Sequence, residues 1–168
     1  MYIHMGGTNT TPFPTGNVNF MQQDNAYFAN SDTWATQISQ CYGSSSIIMN
    51  QAVECEDKDL AVEVYLCNMG SNNQNATLQI WLTEDGVVGK QFMPDGNTNS
   101  EYVHNHLLRS SVLPSVWGET IQMPSITPQT FHFTYTLPDK VVAESCHVVS
   151  VLSIDGVVVQ AKETIRTK

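Results

Sequence analysis

An antiparallel β-sandwich of about seven to nine short strands is the fold this sequence predicts over most of its length. Three observations lead there. From Ser45 onward apolar residues recur with a period of two, as in Leu60, Val62, Val64 and Leu66 or in Leu78, Ile80 and Leu82. Successive side chains of a strand point to opposite faces, so such runs are strands with one buried face. Turn residues separate the runs at short intervals, and no stretch after residue 44 carries a helical period.

Residues 1–30 are mostly turn and loop chemistry, with Gly6-Gly7 and Pro12-Phe13-Pro14-Thr15-Gly16 punctuating two short candidate strands. A helix is expected over 32–42. Ser31 or Asp32 can cap its exposed N–H groups, and Gly43 suits the left-handed stop position. Trp34, Ile38, Cys41 and Tyr42 fall on one face and need a partner surface.

Ile47 to Cys55 and Leu60 to Cys67 then read as strands joined by a tight charged turn. Thr77 to Glu84 follows, with Leu78, Ile80 and Leu82 inward and Gln79, Trp81 and Thr83 outward. Asp85-Gly86 predicts a two-residue hairpin into Val87 to Phe92, because Asp-Gly accepts the positive φ angles of the turns that match strand twist. Residues 93–100 read as a long loop. Beyond it lie Glu119 to Met123, the alternating Phe131, Phe133, Tyr135 and Leu137, and Ser145 to Ile154. A second Asp-Gly, Asp155-Gly156, predicts a hairpin into Val157 to Ala161. Pro124, Pro128 and Pro138 fall between strands, where a missing donor costs little.

The bulk numbers narrow the function. The 168 residues suit one domain with an appendage. With 41% hydrophobic and only 14% charged residues, the surface must be built largely from Asn, Gln, Ser and Thr, as in secreted and envelope β-proteins. A net charge of −9 with seven Lys and Arg supplies no basic footprint, which excludes nucleic acid as a partner and disfavours an anionic membrane surface. No apolar run approaches the roughly 20 residues of a transmembrane helix. Residues 1–7 lack the basic and apolar regions of a signal peptide, so either the protein is cytoplasmic or the sequence lacks its natural start.

The four cysteines, Cys41, Cys55, Cys67 and Cys146, contain no C-x-x-C. On a hairpin turning near Asp57-Lys58, Cys55 faces about residue 60 and Cys67 about residue 48. That is a separation of roughly 20 Å at ~3.3 Å per residue, too far for a disulfide. All four are expected to be thiols, most of them behaving as small hydrophobes.

The densest polar cluster is Tyr102-Val103-His104-Asn105-His106-Leu107-Leu108-Arg109, with Trp117-Gly118 soon after. Its candidate residues are His104, Asn105, His106, Arg109 and Trp117. On a strand His104 and His106 share a face and can both reach a metal ion. Zinc sites with an open position usually have three protein ligands, and His132 or His147 completes such a set only if the fold brings it in, so no metal site is assigned. The plainer reading is a hydrogen-bond network in which these side chains tie a long loop to the sheet. Arg109 is expected to pair with Glu101 or Glu119, with Trp117 able to stack on its guanidinium. Ser110 and Ser111 lie near His106, but no G-x-S-x-G elbow accompanies them, and no catalytic residue is assigned.

The string from Tyr102 to Arg109, with Trp117-Gly118, resembles the motif of a family named after a twenty-eight-kilodalton outer membrane protein, whose members are envelope proteins of anaerobic Gram-negative bacteria of mouth and gut. Leu82-Thr83-Glu84-Asp85 and Gln91 resemble the strand and hairpin that precede it. The resemblance runs over roughly residues 45–168. Pro14-Thr15-Gly16-Asn17-Val18-Asn19 and the helix over 32–42 are similar to the end of the thioredoxin-like domain that precedes an immunoglobulin-like sandwich in such proteins. The resemblance thus implies two parts: 1–43, the tail of a thioredoxin-like domain, and 44–168, the immunoglobulin-like sandwich.

It implies no redox activity here, since the front half that would hold a C-x-x-C is not in this sequence. It implies export of the full-length protein to the periplasm or outer-membrane surface. The N-terminal piece with its Trp34 stripe would then pack on the sandwich or on a neighbouring copy, or be partly disordered, a homodimer through the N-terminal segment being one arrangement. Two functions follow as expectations. One is a non-catalytic interaction module for adhesion or assembly, with a protein or glycan partner and no cofactor. The other is the accessory half of an envelope thiol-disulfide or metal-dependent enzyme, which would carry a metal at His104 and His106 or a reactive thiol.

Overall fold

The structure, a computed structural model, describes residues 16–20, 31–41, 43 and 45–165. Among these are ten strands: β1 (Ile47–Glu56), β2 (Asp59–Asn68), β3 (Gln74–Glu84), β4 (Val87–Phe92), β5 (Thr98–His104), β6 (Leu107–Ser111), β7 (Glu119–Met123), β8 (Pro128–Thr136), β9 (Cys146–Ile154) and β10 (Val157–Ile165). One sheet has the order β1-β2-β8, and a second has the order β10-β9-β3-β6, with β7 also paired to β3. Every pairing between strands is antiparallel.

The two sheets enclose one apolar core. Leu60, Val62, Val64 and Leu66 of β2 meet Leu78, Ile80 and Leu82 of β3 and Val148 and Leu152 of β9. All nine are buried. Phe131, Phe133 and Tyr135 of β8 pack against the rim of that cluster. The alternation read from the sequence therefore orients these strands correctly. A polar seam ties the sheets together at one edge. Gln51 on β1 donates to the Val148 carbonyl at 3.0 Å and accepts from the Ser150 hydroxyl, while Gln160 on β10 donates to the Ile47 carbonyl at 2.8 Å.

The two hairpin dipeptides part company. Asp155 and Gly156 take φ angles of 51° and 80°, and Val157 pairs with Ile154 across the turn as expected. Asp85-Gly86 makes no hairpin between β3 and β4. The chain leaves the sheet there, and β4 pairs only with β5 in a separate two-stranded ribbon. The other side of β3 is taken by β6 and β7, which leaves no room for β4. The loop expected over 93–100 shrinks to a turn closed by the Met93 N–H on the Asn97 carbonyl at 2.8 Å, and β5 begins at Thr98.

The outer face of β3 is also covered. Gln79 and Thr83 are buried and Trp81 is half-buried, against the expectation that they face solvent. The segment between β6 and β7 lies over Gln79 and Trp81: Trp81 Nε1 donates to the Val116 carbonyl at 3.2 Å, and Gln79 Nε2 to the same oxygen at 3.4 Å. Gly118 makes this approach possible, since a Cβ there would sit 2.3 Å from the Leu78 carbonyl oxygen. Phe20 adds an edge-on contact to Trp81 at 6.1 Å between ring centres.

The helix expected over 32–42 is a 3-10 turn, Ser31–Thr33, followed by α1, Trp34–Cys41; Tyr42 lies outside the described residues. Its face is corrected. Gln37 is buried, whereas Ile38 is 56% exposed and Cys41 is exposed. Trp34 is half-buried, and its ring fills the space beside Gly16, where a Cβ would come within 2.7 Å of Cζ2. The candidate strand at 2–5 also lies outside the described residues. Cys55 stands opposite Leu60 and Cys67 opposite Ile48, where the hairpin argument puts them, and all four cysteines are thiols.

Candidate functional site

The polar string that opened the functional argument divides between three places. His104 ends β5 on the ribbon, edge-on to the Tyr102 ring at 4.9 Å. Asn105 and His106 form the turn out of the ribbon, and His106 takes a φ of 53°. Left-handed backbone breaks the strand period, so His104 and His106 do not share a face. Arg109 sits on β6. It pairs with Glu84 of β3, Nε to Oε2 3.2 Å, and not with Glu101 or Glu119. The register explains this: Leu108 and Ser110 lie beside Thr83 and Leu82, which brings Arg109 next to the end of β3. Trp117 is half-buried in the segment before β7, its N–H donating to the Ser115 hydroxyl at 3.1 Å.

The ends of the ribbon are fastened to one another. The Gly86 N–H donates to Asn105 Oδ1 at 3.0 Å, and the His106 N–H donates to Asp85 Oδ1 at 2.7 Å. That backbone donor is the main reason the Asp85 carboxyl is held below its ordinary range, with His147 and His106 adding to the effect against some desolvation.

Around Asp85 the fold assembles a cluster that the sequence reading did not foresee. His147 is the second residue of β9, beside Thr83. Its neighbours Cys146 and Val148 are in the core, so His147 faces outward. Glu163 lies on β10, diagonal to it. His106 is set over both by its turn, with the two imidazole centres 4.9 Å apart. One carboxylate stands at each edge of the ring pair. Asp85 Oδ1 is 3.4 Å from His106 Nδ1, and Asp85 Oδ2 is 3.2 Å from His147 Nε2. Glu163 Oε1 is 3.0 Å from both His106 Nε2 and His147 Nδ1. Only His106 belongs to the predicted candidates. His147 was named as a residue the fold might bring in; the fold does so, while His132 pairs with Glu63 on the other sheet. No local signal announces Asp85 and Glu163.

The sequence profile of the family described as Outer membrane protein Omp28 matches residues 4–166, nearly the whole chain. The chain belongs to the Omp28 family. Membership gives it a cell-envelope location. No curated protein matches it by sequence. Among solved structures it is similar to a domain of the outer membrane lipoprotein Omp28 from Porphyromonas gingivalis, at 20% identity and a TM-score of 0.52, covering 74% of this chain and 91% of that one. It is similar to HBP35 of the same organism at 10% identity and a TM-score of 0.63, over 80% of this chain and 45% of that one. Spo0M, a sporulation control protein from Bacillus subtilis, matches at 14% identity and a TM-score of 0.51, over 73% and 49%. At such identities these likenesses speak for the fold alone. No helix among the described residues is long and apolar enough to cross a membrane.

Proposed function

We propose that this Omp28-family chain is a non-catalytic interaction module of the cell envelope, which engages a protein or glycan partner through the β4–β5 ribbon in adhesion or assembly. The observation that carries this reading is the ribbon itself. It stands apart from both sheets and exposes Val88 (63%), Phe92 (72%) and Val103 (53%). Val88 and Val103 are cross-strand partners, and Phe92 lies four residues along from Val88, so all three share one face. Apolar side chains on a projecting two-stranded element do nothing for the core, and exposed apolar surface of this kind marks contact sites. Among the described residues neither ribbon edge pairs with a further strand, which suits strand addition. In the same reading residues 1–43 are the end of a thioredoxin-like domain and 44–168 the sandwich, and Phe20 touches the sandwich at Trp81.

The test compares the chain with a variant carrying Val88→Ser, Phe92→Ser and Val103→Ser, which leaves the core intact. Each is titrated against envelope protein fractions and a glycan array. The expected result is saturable binding that the triple substitution removes while the melting temperature holds. Equal binding by both proteins, or no binding by either, would count against the reading.

A further inference from the structure

The cluster of Asp85, His106, His147 and Glu163 goes beyond that reading and does not depend on it. Four imidazole nitrogens face carboxylate oxygens at 3.0–3.4 Å. A neutral imidazole carries one N–H and one lone pair. Two neutral rings therefore supply two protons for four contacts, and the other two contacts set lone pairs against a carboxylate. A cation at one edge of the ring pair would satisfy both of those contacts.

Two of these contacts are aligned as hydrogen bonds, His106 Nε2 with Glu163 Oε1 at 3.0 Å and His147 Nε2 with Asp85 Oδ2 at 3.2 Å, and the tautomers set which atom donates. His147 has a side chain only 11% exposed, and its Nδ1 is buried without an aligned hydrogen-bond partner among the described residues; Glu163 Oε1, 3.0 Å away, is the acceptor in reach. The tautomer pair with both N–H groups on the Glu163 side turns the lone pairs of His106 Nδ1 and His147 Nε2 toward Asp85. Metal-bound histidines are held in this way, the second ring nitrogen donating to a carboxylate that fixes the tautomer.

On the Asp85 side, one donor atom from each of Asp85, His106 and His147 lies within 4.8 Å of the others. Zinc bonds of about 2.0–2.1 Å at tetrahedral angles put donors roughly 3.3 Å apart. His106 Nδ1 lies 3.4 Å from Asp85 Oδ1 and His147 Nε2 lies 3.2 Å from Asp85 Oδ2, each near that spacing to its own carboxylate oxygen. We propose that Asp85, His106 and His147 form a site for one divalent transition-metal ion of the zinc class, with Glu163 as the carboxylate that orients both imidazoles and a fourth coordination position open. The ion's charge balances the two carboxylates. Its ligands come from the end of β3, the exit of the ribbon and β9, so binding clamps the base of the ribbon to the sandwich.

The test uses the chain stripped with a chelator and titrated with Zn²⁺ by calorimetry, then with Co²⁺ by visible absorption. The expected result is one ion per chain with micromolar or tighter affinity, tetrahedral Co²⁺ bands, and a higher melting temperature with metal. Asp85→Asn and His147→Ala should abolish saturable binding, and Glu163→Gln should weaken it about 10–100-fold. His104→Ala and His132→Ala should bind as the parent does. Because His106 is more than half exposed, His106→Ala keeps the fold and gives a ligand deletion even where His147→Ala does not fold. No saturable binding by the folded parent chain would overturn the proposal. So would undiminished binding by His106→Ala, or loss of binding in His104→Ala.

Discussion

Glu84 reaches Arg109 across the seam between β3 and β6, its Oε2 lying 3.2 Å from the guanidinium Nε while its Oε1 accepts the Val142 N–H at 2.8 Å. The Glu84 side chain is nearly fully buried, whereas the Arg109 side chain keeps about a quarter of its surface in solvent (24%). Removing the cation would leave a buried charge with one backbone donor. Arg109→Ala is therefore expected to destabilise the fold by about 2–4 kcal/mol, at or below the range for breaking a buried pair because Arg109 is partly wet. Urea unfolding of the two proteins would measure it. Arg109→Lys should recover only part, since an ammonium cannot reproduce the planar donor set.

Asp85 gives the pH dependence. Its carboxyl is held low chiefly by the His106 N–H. A group whose folded pKa lies below its unfolded value stabilises the fold above the unfolded value, about 3.9, and loses that contribution as pH falls through the folded one. In metal-free protein, the difference in melting temperature between the parent and Asp85→Asn should be constant above about pH 5 and shrink steadily below about pH 4. A difference that grows on acidification would contradict this.

Gly118 carries the close approach over β3. Its φ is 84°, and an added Cβ would meet the Leu78 carbonyl oxygen. Gly118→Ala should cost at least about 2 kcal/mol through left-handed strain and displacement of the segment that caps Trp81. Denaturant unfolding gives the magnitude, and a blue-to-red shift in tryptophan fluorescence would report exposure of that ring.

Ile126 runs the other way. It is a β-branched residue at a φ of 54° with 67% of its surface exposed. Its N–H donates to the Asn68 carbonyl at 2.7 Å, a bond that any residue but proline keeps. Asn tolerates the left-handed region where Ile does not, so Ile126→Asn should raise stability by about 1 kcal/mol. Unchanged or lower stability would mean that the Ile side chain makes contacts outweighing the strain.

What the sequence disclosed follows a physical division. Leu60 to Leu66 and Leu78 to Leu82 were legible because a strand with one buried face writes its orientation into a local pattern. The same local logic placed Cys55 and Cys67 on opposite ends of a hairpin. It failed where covering layers are non-local. Gln79 and Trp81 read as outward, yet a segment about 35 residues later covers them. The Asp-Gly dipeptide makes a hairpin at 155–156 and a departure at 85–86, because β6 and β7 compete for the edge of β3 that β4 would need. His104 and His106 suggested a shared face only as long as Asn105 continued a strand. The cluster that replaces them joins His106 to His147, which no spacing rule connects. The fold was thus largely readable, and the candidate site only at one of its four corners.

The position of β3 has a kinetic consequence. It is the third strand to be made, yet its partners are β6, β7 and β9, the last ending at Ile154. Until then Leu78, Ile80 and Leu82 have no second neighbour to lie against, and the first sheet closes only when β8 arrives to flank β2. A topology whose central strand waits for distant partners folds slowly, because long loops must close before contacts stabilise them. Almost the entire chain must be available before the sandwich can form.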